Sequence, residues 1–447
     1  MNGTQSPSDP DEFRLEPPPG AGWRLWLWTS IALVGLLVAA GSTNGLGLSG
    51  LEIPVAWAAA ALNLTFWAGV AAAAALASSW RLLARAEPIE PLRRVIEATT
   101  LAAIACSWLF LGIQLGRPRL AYWLAPLPNS MGTWPQPRSP LLWLWWLLGG
   151  LGVAAVMVAY VGRLPEIATL RDRARGGGRR LYGALALGWR GSSHQRRRQR
   201  AAARLLAGVT ALLALAALGA SAANLVTTLA SGWRLALLVP HVAAAAILTA
   251  AAIVATLMVF GRAILGRDEI LRPQPLESAA RLLLLAASIY AGAHLLELLI
   301  AAVAGGSAGP LASRNAALGS RAALFWVLVG GGALLPQLLR LRGVRTSPPG
   351  LAAISIMSAA AAAGAQALLL LASLDRDFLP ATWSSYRLTG WDVAITLGGL
   401  GLFVALVGLL ARGLPRFAVA AGEPRSPHGD DPPAAEDLSP APGAAGT

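Results

Sequence analysis

His294 and Glu297 are the residues best placed in this sequence to do chemistry inside a membrane. They stand three apart in a long apolar run, which puts both on one face of a helix. His241 follows Pro240 at the start of another such run, within reach of the same level. An imidazole beside a carboxylate can take up a proton and pass it on. Ionisable groups surrounded by hydrocarbon are costly unless they are paired or used. Two readings of His294 and Glu297 follow: proton handling or ligand contact, and a satisfied hydrogen bond between helices. The other two histidines, His194 and His428, lie in a basic segment and a polar tail. Two bis-histidine haems would need four histidines on two helices. The single cysteine, Cys106, excludes an internal disulfide, a cysteine-ligated cluster and a CxxCH haem site. Metal chemistry therefore has little to work with, and no covalently bound cofactor is expected.

A second set of candidates lies in the stretch Gly112 to Trp146, GIQLGRPRLAYWLAPLPNSMGTWPQPRSPLLWLWW. A plain connector is short and polar, whereas this one is dense in Pro, Trp, Tyr and Arg. Gln114, Arg117, Ser139 and Trp143 are its candidate ligand contacts. A similar loop, SLDRDFLPATWSSYRLTGWD from Ser373 to Asp392, adds Arg376, Asp377, Trp383 and Tyr386. A third, from Ser231 to His241, is also rich in Trp and Pro for a turn. The Arg, Ser and Asp residues could equally tie these loops together through a buried ion pair. Most tryptophans at this edge, including Trp123, Trp134, Trp145 and Trp146, fit an interfacial belt. The Gly330–Gly332 run sits in an apolar segment, which suits close helix contact or a break and excludes a phosphate loop.

The elements that must position these residues are membrane helices. The chain has 447 residues, is 55% hydrophobic and 13% charged, and has a mean hydropathy of +0.57. Ten apolar segments are each long enough to cross about 30 Å of hydrocarbon. They run approximately Trp23–Ala40, Pro54–Ser78, Val95–Leu115, Leu141–Val161, Leu205–Leu229, Leu237–Gly261, Ala279–Ala304, Arg321–Leu341, Leu351–Leu374 and Val393–Leu414. An all-α integral membrane protein of about ten transmembrane helices is expected, and its Ala- and Gly-rich interior predicts a compact bundle. The membrane domain covers residues 23–415. Residues 1–22 and 416–447 read as disordered polar tails, the first without the order of a signal peptide.

The net charge of +14 is a matter of topology. Every basic residue is Arg, which reads first as a composition bias. With both termini placed in the cytoplasm, twenty-eight arginines fall on the inner side and eight on the outer. The positive-inside rule then fixes the orientation and turns the three unusual loops outward, with no nucleic-acid partner implied. The most basic connection, Gly162 to Arg204, reads as an amphipathic segment anchoring to anionic lipid or as a dock for a cytoplasmic partner.

Five stretches taken together, GRPRLAYWLAPLPNSMGTWPQPRSPLLW, VGRLPEIATLRDRA, LYGALALGWRGSSHQ, LLPQLL and SLDRDFLPATWSSY, closely resemble the membrane subunits of the polysulfide-reductase (NrfD-like) family. The resemblance is nearest to the larger quinol-oxidising membrane subunit of bacterial alternative complex III. It spans roughly Trp23 to Pro415 and implies two four-helix bundles plus a flanking helix pair. It also implies a place in the bacterial cytoplasmic membrane. The expected partners are iron–sulfur and cytochrome subunits, a paralogous membrane subunit and lipid. Quinol would bind near the outer face, pass electrons to an outward-facing iron–sulfur partner and release protons.

The chain departs from that pattern where protons would be taken up. Gln114 stands two before the GRP glycine, where the family usually has His, and Leu144 follows SPLLW in place of Asp. Arg234 replaces the His of a GWH motif, Ala365 and Gln366 stand for a Glu-Arg pair, and Asp375 stands where His is frequent. Gln can hydrogen-bond but cannot take a proton near neutral pH, and Leu can do neither. Quinol chemistry through a remodelled pocket would then fall to His294 and Glu297, with Gln114, Arg117, Ser139, Trp143, His241 and Asp377 as quinol contacts. A degenerate anchor subunit without quinol chemistry is the alternative. A secondary transporter, from a different class, would show internal symmetry with matched broken helices, and no convincing repeat is visible.

Overall fold

A computed structural model describes Trp28, Ser30, Ile31 and Val34, then residues 58–86, 89–116, 118–128, 131–228, 235–265, 273–303, 317–319, 321–374 and 389–412. All of these lie in one unit that runs to Leu414. Among the described residues the secondary structure is helical, with no strand. Nine helices among the described residues are long and apolar enough to cross a membrane, which makes this a multi-pass membrane protein.

The long helices are α1 (Ala58–Leu83), α2 (Glu90–Gln114), α3 (Pro140–Gly162), α6 (Ser193–Thr228), α7 (Leu235–Leu265), α8 (Pro273–Val303), α9 (Ala322–Leu334), α11 (Pro348–Leu374) and α12 (Gly390–Arg412). Between α3 and α6 come two short helices, α4 (Leu164–Arg173) and α5 (Gly177–Leu185). Helix α9 continues as a 3-10 turn over Leu335–Arg340 and is followed by α10 (Arg342–Arg345). The ten expected spans map onto these nine and a tenth, Trp23–Ala40, of which only four residues are described. Of those four, Ser30 is buried and packs on Gly401 of α12. The two polar tails lie outside the described residues.

Helix starts follow sequence signals. Helices α2, α3 and α4 each carry Pro in the first turn, where its missing N–H costs nothing. Thr389 and Asp392 form a reciprocal cap on α12. The Asp392 carboxylate accepts from the Thr389 N–H at 3.0 Å and hydroxyl at 2.8 Å, and the Asp392 N–H returns a bond of 3.2 Å.

Helices α1 and α7 are the most enclosed, and small residues let them meet. A Cβ added at Gly69 of α1 would lie 2.8 Å from the Ala246 Cβ of α7, so glycine is required at this crossing. Helix α1 also packs on α2 and α6, and α3 packs on α6. Helix α7 packs on α8 and α11, α11 on α9, and α12 on α2. Trp67 of α1 stacks on Phe403 of α12 with centroids 4.8 Å apart. Apolar residues left exposed, such as Val153 and Met157 on α3 and Leu295 and Leu299 on α8, face outward as a lipid-contacting surface requires.

One connection differs from expectation. The Gly162 to Arg204 segment is mostly helical, and α6 begins at Ser193, twelve residues before its apolar part. Arginine is a good helix former, so a hydrophobic run reports only the lipid-facing part of a helix and not its length.

The same segment is also tied to the spans by ions. Arg163 at the end of α3 and Arg93 of α2 both pair with Glu97, at 2.5 and 2.6 Å, and Arg94 reaches Glu166 of α4 at 2.9 Å. Glu97 is buried, so its carboxylate needs both guanidinium groups.

Candidate functional site

His241, His294 and Glu297 come together. His241 stands near the start of α7, one residue after Pro240, which has no N–H to give to the preceding turn. His294 and Glu297 stand near the end of α8, on the face turned to α7. The His241 Nδ1 is 3.0 Å from a Glu297 carboxylate oxygen, close enough for an ion pair but out of line for a hydrogen bond. The His241 and His294 rings are 4.5 Å apart, and the Tyr290 ring is 4.3 Å from His294. All four side chains are buried, Tyr290 completely.

Tyr290 escaped the sequence reading, although it lies four residues before His294 and so on the same helical face. His294 is oriented by its Nδ1, 3.1 Å from the Tyr290 carbonyl oxygen, which assigns the proton to Nδ1 and leaves Nε2 as an acceptor. Glycine at 332 leaves room for the tyrosine. A Cβ there would come within 2.7 Å of the Tyr290 ring and 3.3 Å of Leu248.

Four buried polar atoms of this cluster have no hydrogen-bond partner: both His241 ring nitrogens, the His294 Nε2 and the Tyr290 hydroxyl. A buried polar atom left unpaired costs about 1–3 kcal/mol, and several converge here. Two imidazoles, a carboxylate and a phenol in one apolar enclosure can accept, hold and relay protons and can bind a small molecule with hydroxyl or carbonyl oxygens. No group of three or more His, Cys, Asp or Glu suited to holding a metal ion occurs among the described residues.

The remaining sequence candidates lie elsewhere. Gln114 is buried at the end of α2, where its side-chain oxygen accepts a long bond of 3.4 Å from Asn224 of α6. Ser139 forms the N-cap of α3 without a side-chain capping bond. Trp143 is 54% exposed, its indole N–H held by the Pro137 carbonyl at 2.9 Å, as suits a belt residue. Leu144 is fully buried. Arg117, Arg234, Asp375, Arg376, Asp377, Trp383 and Tyr386 lie outside the described residues.

A cavity of about 380 Å³ between α1, α11 and α12 was not anticipated. Its wall is mainly apolar, with Asn63, Gln366, Asp392 and Thr396 as polar members and Trp67 among the aromatics. Asn63 donates to Thr396 at 2.9 Å, and Asp392 is occupied in capping α12. The signal that could have revealed it is Asn63, an amide in an otherwise apolar run. Ala365, beside Gln366, is fully buried against α9.

No protein-family model matches the chain, and no curated protein matches it.

Proposed function

We propose that the chain is a membrane subunit of a quinol-oxidising respiratory complex of the alternative-complex-III type, and that His241, His294, Glu297 and Tyr290 form its proton-accepting site. The observation that carries this reading is the buried His241–Glu297 contact flanked by unpaired ring nitrogens and a phenol. Oxidation of a quinol to a quinone releases two electrons and two protons. The electrons go to an iron–sulfur partner, and each proton needs an acceptor at membrane depth. When neutral, the two imidazoles offer those acceptors, and the Glu297 carboxylate stabilises the imidazolium that forms on His241.

The resemblance of the loops supports the same reading, as do the helix contacts. Helices α1, α2, α3 and α6 group together, as do α7, α8, α9 and α11, while α12 and the Ser30 segment lie alongside. These contacts support a reading as two four-helix bundles with a flanking pair. Relative to the pattern the family usually has, the proton acceptors have moved from the Gln114 and Leu144 positions to α7 and α8. A structural anchor without quinol chemistry is the second reading, favoured by the buried Leu144 and by the outward turn of Trp143.

The test is to purify the chain from its native membrane with whatever accompanies it and measure quinol-dependent reduction of the complex. Removal of a general base typically costs 10²- to 10⁴-fold, so His294→Ala and Glu297→Ala should each lower turnover about a hundredfold or more. A chain that purifies with no iron–sulfur or haem partner sinks the respiratory reading. Partners present with turnover intact in both variants leaves the anchor.

A further inference from the structure

We infer that α5 is an interfacial helix whose leucine ridge enters the cytoplasmic leaflet while the arginines around it hold anionic phospholipid headgroups. Leu181 and Leu185 are one turn apart on α5, and Leu187 stands two residues further on; they are 59%, 40% and 71% exposed. Three exposed leucines this close together on a water-facing surface would be a liability, and they stay in place only if something apolar covers them.

The depth of this ridge says what covers it. The Tyr160 hydroxyl, in the last turn of α3, donates to the Leu185 carbonyl at 2.5 Å. One residue on, the Val161 carbonyl accepts from the Gln199 side chain of α6 at 2.7 Å. The end of α5 is thus pinned to the level at which α3 leaves the hydrocarbon, where an amphipathic helix lies in the plane of the headgroups. Leu187 also adopts a left-handed backbone, with φ at 48°. Glycine or asparagine would hold that conformation at lower cost, yet the position carries an exposed leucine.

The hairpin behind the ridge is rigid enough to present it. Ala168, Ala186 and Trp189 form a small core with Leu164 and Ile167. Arg171 fastens α4 to the Trp189 carbonyl at 2.9 Å, and Gln195 closes the turn into α6 through the Arg190 N–H and the Gly188 carbonyl. Charge complementarity selects the lipid. Residues 163–204 hold twelve arginines against two acids, Glu166 and Asp172. Arg179 and Arg180 lie on α5 itself, and an open cleft of about 410 Å³ between α4 and the start of α6 is lined by Arg171, Arg190, Arg196 and Arg200. Each arginine near an anionic surface adds to the attraction, so a cluster of this size discriminates strongly against a zwitterionic leaflet.

The inference does not rest on the quinol reading and is tested separately. In the full chain with Cys106→Ser, Leu185→Cys is labelled with bimane, and the protein is placed in nanodiscs of phosphatidylcholine with or without a third of phosphatidylglycerol. Leu187→Cys gives the same readout from the next turn, and Arg197→Cys serves as a water-exposed control. Lipid brominated near the headgroup should quench the labels at 185 and 187 several-fold more than the label at 197, and aqueous iodide should do the reverse. Phosphatidylglycerol should increase the lipid quenching, and Arg179→Gln with Arg180→Gln should abolish that increase. Labels at 185 and 187 that iodide quenches as well as the control would overturn the inference. So would labels shielded from both quenchers, which would mean that protein covers the ridge. Insertion that does not depend on phosphatidylglycerol would overturn the anionic preference.

Discussion

Two residues carry most of the weight at the site, Glu297 and Gly332. Glu297 differs from a plain interhelical tie in that its histidine partner, His241, keeps an Nε2 with no bond. Glu297→Gln preserves shape and hydrogen-bonding capacity but removes the charge that would stabilise an imidazolium. It should lower quinol turnover about a hundredfold, as loss of acid–base assistance does, while thermal unfolding in detergent moves by only a few degrees. A large loss of thermal stability with unchanged turnover per folded molecule would instead assign Glu297 to structure. Gly332→Val acts through space. Its new methyl groups must displace Tyr290 or part α8 from α9, and overpacking of this kind costs about 1–3 kcal/mol. The expected outcome is a lower midpoint in a thermal-shift assay. Tyr290→Phe, which only removes an unpaired hydroxyl, should leave that midpoint nearly unchanged. Half of this site was legible in the sequence. The i, i+3 spacing of His294 and Glu297 announces a shared face. That His241 meets them depends on how α7 packs against α8, which no local pattern records.

At the scale of the elements, long apolar runs identify spans well because about 20 residues without charge have few other uses. The ends of the helices were harder to place, since α6 and α8 run on through polar turns at Ser193 and Pro273 where apolarity gives no signal. The folded hairpin of α4 and α5 was hidden for a related reason. Its core is only a few side chains, and its arginines dominate the composition. The ties that hold it down were equally invisible, because four of the arginines between the first helices look alike until Glu97 is seen between Arg93 and Arg163. Glu97→Ala leaves the Arg163 guanidinium without its carboxylate partner, while Arg93 keeps Glu90 at 2.6 Å, and should destabilise the protein by about 3 kcal/mol or more, read from thermal unfolding. Adding Arg163→Leu to that variant should recover part of the loss. If the double variant is worse by the full sum of the singles, the two residues do not act as one unit.

For the whole molecule the open question is which way it faces, and the arginines give a definite expectation. Successive spans alternate in direction, so the ends of α2 and α8 and the starts of α3 and α7 share one side, with the His241–Glu297 contact near it. The hairpin of α4 and α5 with its arginines lies at the opposite side. The positive-inside rule then puts the hairpin in the cytoplasm and the proton-accepting site toward the outer face. Both sides offer an exposed residue for labelling, Leu127 in the connection before α3 and Arg197 at the start of α6. On a Cys106→Ser background, a membrane-impermeant maleimide added to intact spheroplasts should label Leu127→Cys and spare Arg197→Cys. Lysis should expose the second. The reverse pattern would turn the site inward, release its protons to the cytoplasm and remove the case for an outward iron–sulfur partner. Such a result would break the positive-inside rule for a connection of twelve arginines, so this single measurement bears on both the topology and the direction of the proposed chemistry.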